Sequence, residues 1–217
     1  MCSLFFLLLT ALAQQAQIPG CRATEEVREA IQAARKAAED DKRPSSEIQT
    51  ERTAKLKALL EKHPGDFFVR RAYLEASRVR SLAPEEVIAE QKRRLGQGPE
   101  DPAAQYFYAL ALMGRQTAES IKILTKLATE HPKFARPFAS LADIYGYPAF
   151  RDEAKLESNA RAYARLCPEN LDGYSRLSRL PNSEFLKEAA GRLRKLIAGR
   201  TTRRWVPGRT CGGWSSR

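Results

Sequence analysis

The chain has 217 residues, 43% of them apolar and 29% charged, a balance that excludes wholesale disorder and allows one or two domains with a sizeable core. Its net charge of +11 invites a nucleic-acid or membrane-surface role, yet eight basic residues and no acidic one stand from Arg192 onward. The residues before Arg192 carry only about +3, so the basicity belongs to a tail and not to the body.

Residues 1–20 read as a signal peptide. Leu4 to Leu12 is an apolar run too short to span a bilayer with ease, and Ala11-Leu12-Ala13 fits a small-x-small pattern, with cleavage expected after Ala13. The n-region has no Lys or Arg, and a buried apolar N-terminal helix is the alternative. Export predicts a periplasmic or extracellular protein. Cys21, in "QIPGC", admits lipidation as a second, less favoured route to a membrane. Removing the leader leaves Cys21, Cys167 and Cys211, with no CxxC and no metal spacing. One disulfide can form outside the cytoplasm, and spacing does not choose its pair.

From there every segment carries helix signals. Residues 22–45 hold one N-terminal helix, with Val27, Ala30, Ile31, Ala34 and Ala38 on one face, Thr24 as N-cap and Pro44 as stop. Residues 46–62 follow, with Ser46 and Gln49 at capping-box spacing and a stripe through Leu56, Leu59 and Leu60. A helix over 65–79 aligns Val69, Ala72, Tyr73, Ala76 and Val79. The next opens at Pro84 and ends at Gly96. "PAAQYFYALALMG", "TAESIKILTKLATEHP", "ARPFASLADIYG", "RDEAKLESNARAYARLCP", "LDGYSRLSRL" and "NSEFLKEAAGRLRKLIAG" continue the series, joined by short Gly/Pro turns that favour antiparallel neighbours. The predicted class is all-α.

Prolines close alternate helices at Pro64, Pro99, Pro132 and Pro168, at spacings of 35, 33 and 36. Nine residues after each stand Tyr73, Tyr108, Leu141 and Leu177, all large, and one residue later Leu74, Ala109, Ala142 and Ser178, small in three of four. A large residue beside a small one suits a helical hairpin, since the small side chain admits the partner helix and the large one fills the space behind it. Arg70 and Gln105 take the place that Phe138 and Tyr174 hold six residues after the later prolines. This pattern resembles the tetratricopeptide repeat, a 34-residue helix–turn–helix unit, over residues 46–199, best in "PAAQYFYALALMGRQTAESIKILTKLATEHP". The resemblance implies an α-solenoid of four degenerate hairpins stacked into a right-handed superhelix. It also makes His63-Pro64 and His131-Pro132 two periods apart, helix ends and not a catalytic dyad.

No nucleophile elbow, P-loop, dinucleotide fingerprint or HExxH motif occurs, so no catalytic, cofactor or metal residue is expected. By analogy with the family, residues four, seven and eleven after each proline face a concave groove: Phe68, Arg71 and Glu75; Ala103, Tyr106 and Leu110; Arg136, Ala139 and Asp143; Asp172, Ser175 and Arg179. Aromatic and arginine residues among them suit a protein or peptide partner. The tail over 200–217 pairs arginines with Trp205 and Trp214, reads as disordered by composition, and makes nucleic acid an unexpected partner of the body. The expected function is a non-catalytic, exported interaction scaffold of bacterial type. The alternative is an accessory region of a larger exported enzyme, such as a thioredoxin-like protein, whose frame breaks after Gly199.

Overall fold

The structure, a computed structural model, describes residues 21–36, 44–79, 84–180, 187–192, 194–195 and 198. The proposed leader and tail lie outside these residues. The described chain is helical throughout and contains no strand. Its α-helices are α1 (Glu25–Lys36), α2 (Ser45–Lys62), α3 (Phe67–Val79), α4 (Pro84–Gln97), α5 (Pro102–Leu112), α6 (Thr117–Glu130), α7 (Ala135–Tyr145), α8 (Glu153–Leu166) and α9 (Leu171–Leu177). A single 3₁₀ turn, Pro148–Phe150, precedes α8.

The period seen in the prolines is a repeated turn. At each of the four, the residue two after the proline donates its N–H to the carbonyl of the residue before it: Asp66 to His63 (3.1 Å), Asp101 to Gly98 (3.0 Å), Phe134 to His131 (2.8 Å) and Asn170 to Cys167 (2.9 Å). Proline's fixed φ suits the second position of such a turn and ends the preceding helix. His63, His131 and Cys167 are the C-caps there, with nearly identical backbone angles (φ −128°, −125° and −127°; ψ 62°, 66° and 61°). Both histidines therefore serve as helix ends. Three of the four turns also supply an N-cap to the next helix: Asp66 accepts from the Phe68 and Val69 amides, Asp101 from Ala103 and Asn170 from Asp172. Phe134 holds this place in the third turn, fully buried.

Arg70 and Gln105, the two departures from the aromatic position, have a common role. The first donates to the carbonyl of Pro64 (2.9 Å) and the second to that of Pro99 (2.7 Å), so each side chain folds back on its own turn. The register of the first repeat thus matches that of the second. The capping box at Ser46 and Gln49 does not form. Helix α2 begins at Ser45 behind Pro44, whose extended backbone sets the entry, and no side chain caps it. Thr24 does cap α1, accepting from the Val27 amide at 3.3 Å.

Each helix packs on the next, and α1, α3, α5, α7 and α9 also pack directly on one another. Among the described residues α2, α4, α6 and α8 make no such contacts among themselves. The odd-numbered layer is therefore the narrow side, and the stack curves towards it. Helix α1 packs on α2 and α3 as α3 packs on α4 and α5, at the end of this inner layer. The central core joins Leu74, Tyr106, Phe107, Leu124, Leu127, Phe134, Leu141 and Ile144, with Phe67 against the Tyr106, Phe107 and Phe134 rings at 5.5, 4.8 and 5.9 Å. Ala109 and Ala142, two of the three small members of the large–small pairs, are buried where neighbouring helices meet, whereas the third, Ser178, is exposed.

The concave face as candidate functional site

The inner layer is curved enough for side chains of α3 and α7 to meet across α5. The Arg136 guanidinium lies over the Phe68 ring at 5.2 Å and faces the Tyr163 ring of α8 at 5.7 Å. Beneath this bridge, Tyr106 and Leu110 are only 1% and 3% exposed, so neither presents a surface to a partner in this conformation. Repeat spacing sets the direction in which their side chains point, and the central core they join covers them. Tyr106 instead bonds to the Ser140 hydroxyl at 3.2 Å, joining α5 to α7.

A hollow of about 400 Å³ opens on this face. Five of the expected residues line it: Phe68, Arg71, Glu75, Arg136 and Asp172. Asp143 and Arg179 lie elsewhere, engaged with each other. Asp143 accepts two bonds from Arg176 (2.9 and 2.7 Å) and one from Arg179 (3.3 Å), tying α7 to the end of α9. Of the family-analogous positions without strong chemistry, Ala103 is half-buried, Ala139 packs under Tyr163 and Ser175 is exposed.

The opposite wall comes from a segment that repeat spacing did not implicate. Arg22, Arg28, Ile31, Gln32 and Arg35 face the hollow from α1 and the residues before it. A disulfide between Cys21 and Cys167 (Cα–Cα 5.5 Å, 146 residues apart) fixes this wall to the end of α8. Around it the Cys21 carbonyl accepts from Arg136 Nη2 (2.7 Å) and Asn170 Nδ2 (3.5 Å), and Arg22 pairs with Glu169 at 3.3 Å. The sequence did contain a trace of this wall: Arg28, Gln32 and Arg35 fall at helical spacing beside the apolar face of α1.

The electrostatics of the hollow are lopsided. Glu75 is shared by Arg71 (2.7 Å) and Arg35 (3.6 Å), and Arg28 pairs with Glu25. Arg136 has no carboxylate within 4.0 Å among the described residues, although it is 3% exposed and its Nε has no partner. Burial and then the nearby Arg71 charge both pull its pKa below the usual guanidinium value. It remains a cation at any physiological pH. Burial also opposes the Arg71 charge, but the Tyr106 phenol and the Glu75 carboxylate outweigh it and hold the Arg71 pKa above that value. Burial raises the Tyr163 pKa, so its neutral hydroxyl accepts from Arg136 Nη1 (3.2 Å) and Asn170 Nδ2 (2.8 Å).

A larger hollow of about 610 Å³ lies on the outer side, between α2, α3 and α4, where cations and carboxylates alternate as in the Arg94–Glu90 pair at 2.5 Å. No three His, Cys, Asp or Glu side chains converge as a metal set among the described residues. No described helix is long and apolar enough to cross a membrane.

No family model matches the chain, and no curated protein matches it. Among solved structures the chain is similar to the crystal structure of MamA protein, at 13% identity and a TM-score of 0.46, with 85% of this chain and 100% of that one covered.

Proposed function

We propose that this chain is a non-catalytic interaction scaffold, exported from the cytoplasm, whose concave face takes an acidic segment of a protein partner. One observation carries the reading: the desolvated Arg136 guanidinium at the floor of the hollow has no carboxylate within 4.0 Å among the described residues, Asp172 acting on it only from farther off. A buried cation is costly unless an opposite charge accompanies it, and a partner's carboxylate would offset that cost. Arg28, Arg35 and Arg71 around the opening favour the approach of the same kind of ligand, and the Phe68 face gives an aromatic anchor. The Cys21–Cys167 pair supports export, because disulfides persist in periplasmic and secreted proteins and are rare in a reducing cytosol. In this bonded form Cys21 has no thiol to carry a lipid.

The test is titration of fluorescein-labelled oligoglutamate into the full chain, read by fluorescence polarisation, with oligolysine as control. Oligoglutamate should bind and weaken as salt rises, oligolysine should not, and reversing Arg28 and Arg35 together (Arg28→Glu, Arg35→Glu) should weaken the acidic ligand by about tenfold or more, which corresponds to roughly 1.4 kcal/mol. Equal binding of both peptides, or unchanged affinity in the doubly reversed variant, would remove the basis for the reading.

A further inference from the structure

We infer that the Cys21–Cys167 disulfide is a redox-operated clasp, and that the concave site exists as a two-walled groove only while the clasp is closed. One wall is built on α3 and α7, each held between helices on either side, and on the start of α9. The other is built on Cys21, Arg22 and α1, and its anchorage is unequal at its two ends.

At the α1 end, only Val27, Ile31 and Ala34 are buried, a narrow apolar face on a helix of 12 residues. A helix of that length is marginal without tertiary support. At the Cys21 end, the non-covalent ties among the described residues are the two hydrogen bonds to the Cys21 carbonyl, an ion pair between exposed side chains and the packing of Cys21 against Ala135, Ala139 and Tyr163. Exposed ion pairs contribute little. The covalent link therefore dominates the hold on this end, and it touches the site directly. The carbonyl that Arg136 donates to is that of Cys21 itself. Opening the link frees Arg136 from its strongest acceptor and releases the wall that carries Arg22, Arg28 and Arg35.

The chemistry requires a dithiol reductant. Its thiolate attacks the sulfur of Cys21, which is partly exposed, and the Cys167 thiolate, from a residue 1% exposed, leaves and takes up a proton. The second thiol of the reductant then displaces Cys21 from the mixed disulfide. Two electrons pass to the cysteine pair, which ends as two thiols, and the reductant ends as its own disulfide. Oxidation by a disulfide donor runs the same steps in reverse.

This inference rests on the concave face being the binding face, but the test of the clasp needs no ligand. Hydrogen exchange followed by mass spectrometry would compare the full chain oxidised, reduced with dithiothreitol, and as the Cys21→Ser, Cys167→Ser double variant. Amides of 25–36 should exchange about tenfold faster or more in the last two samples, while those of α5 and α6 keep their protection. Unchanged exchange over 25–36, with both thiols shown free by mass, would overturn the clasp. Loss of protection across α5 and α6 as well would overturn it equally, because the bond would then be a global staple. If exchange over 25–36 responds and fluorescein-oligoglutamate binds the oxidised and reduced forms alike, the clasp stands and the acidic-ligand reading falls.

Discussion

At Gly173 an added methyl would meet backbone. A Cβ there would lie 3.1 Å from Ala164 Cα and Cβ and from Tyr163 Cδ1, because α9 approaches α8 to within the reach of a hydrogen atom. Gly96, near the end of α4, has nothing within 4 Å of the same atom. We therefore expect Gly173→Ala to destabilise the protein by about 1–3 kcal/mol through overpacking. Gly96→Ala should stabilise it by about 0.5–1 kcal/mol, by restricting the unfolded chain in a position that is already helical. Urea unfolding of the two variants measures both, and equal effects of one sign would contradict the packing described for α8 and α9. Neither role was legible in the sequence, which places a glycine in a helix without saying what faces it. The same limit explains Tyr106 and Leu110. Repeat spacing gives the side they face, but depth depends on how closely the neighbouring helices pack over them, which is a property of the stack. Phe68, Arg71, Glu75, Arg136 and Asp172 do line the hollow, Arg136 as the bridge over α5.

Each element begins and ends by a local rule that recurs with the prolines. Helix identity was readable because apolar spacing and Gly/Pro punctuation agree from α1 to α9. The shared turn was half readable: its proline is visible, and the carboxylate or amide two residues later has the chemistry of an N-cap. The capping box at Ser46 failed because Pro44 fixes the chain two residues earlier, so helix φ/ψ begins at Ser45 before Ser46 can act from outside the helix. The turn geometry yields a graded expectation. Asp66 accepts two amides (2.8 and 2.9 Å) and Asp101 one (3.0 Å). Replacing either by Ala should cost about 0.5–2 kcal/mol in urea unfolding, with Asp66→Ala the more costly of the two. A neutral Asp66→Ala would mean that the first turn lacks the N-cap it shares with the second and fourth. Arg70 and Gln105 extend the lesson. They look like departures from the repeat, yet by folding back on Pro64 and Pro99 they hold the same turn by a polar contact in place of an apolar one.

Over the whole molecule, curvature decides the site. Among the described residues the odd-numbered helices pack on one another and the even-numbered ones do not, so residues far apart in the chain converge on one side. Periodicity made the stacking legible, but not how far the stack bends, which sums small differences in helix packing across the repeats. The meeting of Cys21 with Cys167 is the consequence that the sequence could not specify, since three cysteines remained after the leader with no spacing to choose among them. In the chain-entropy account a link closing a loop of this size is worth about 5 kcal/mol, several times the contribution of any single cap or exposed ion pair in the molecule. The bond also couples the two ends of the inner layer, so it reports the bend directly. The most direct measurement is peptide mapping by mass spectrometry of the full chain, digested without reductant after purification from an oxidising compartment. The account predicts one cross-linked peptide pair joining Cys21 to Cys167. Free thiols at both positions, a lipid on Cys21, or a link from either to Cys211 would contradict it.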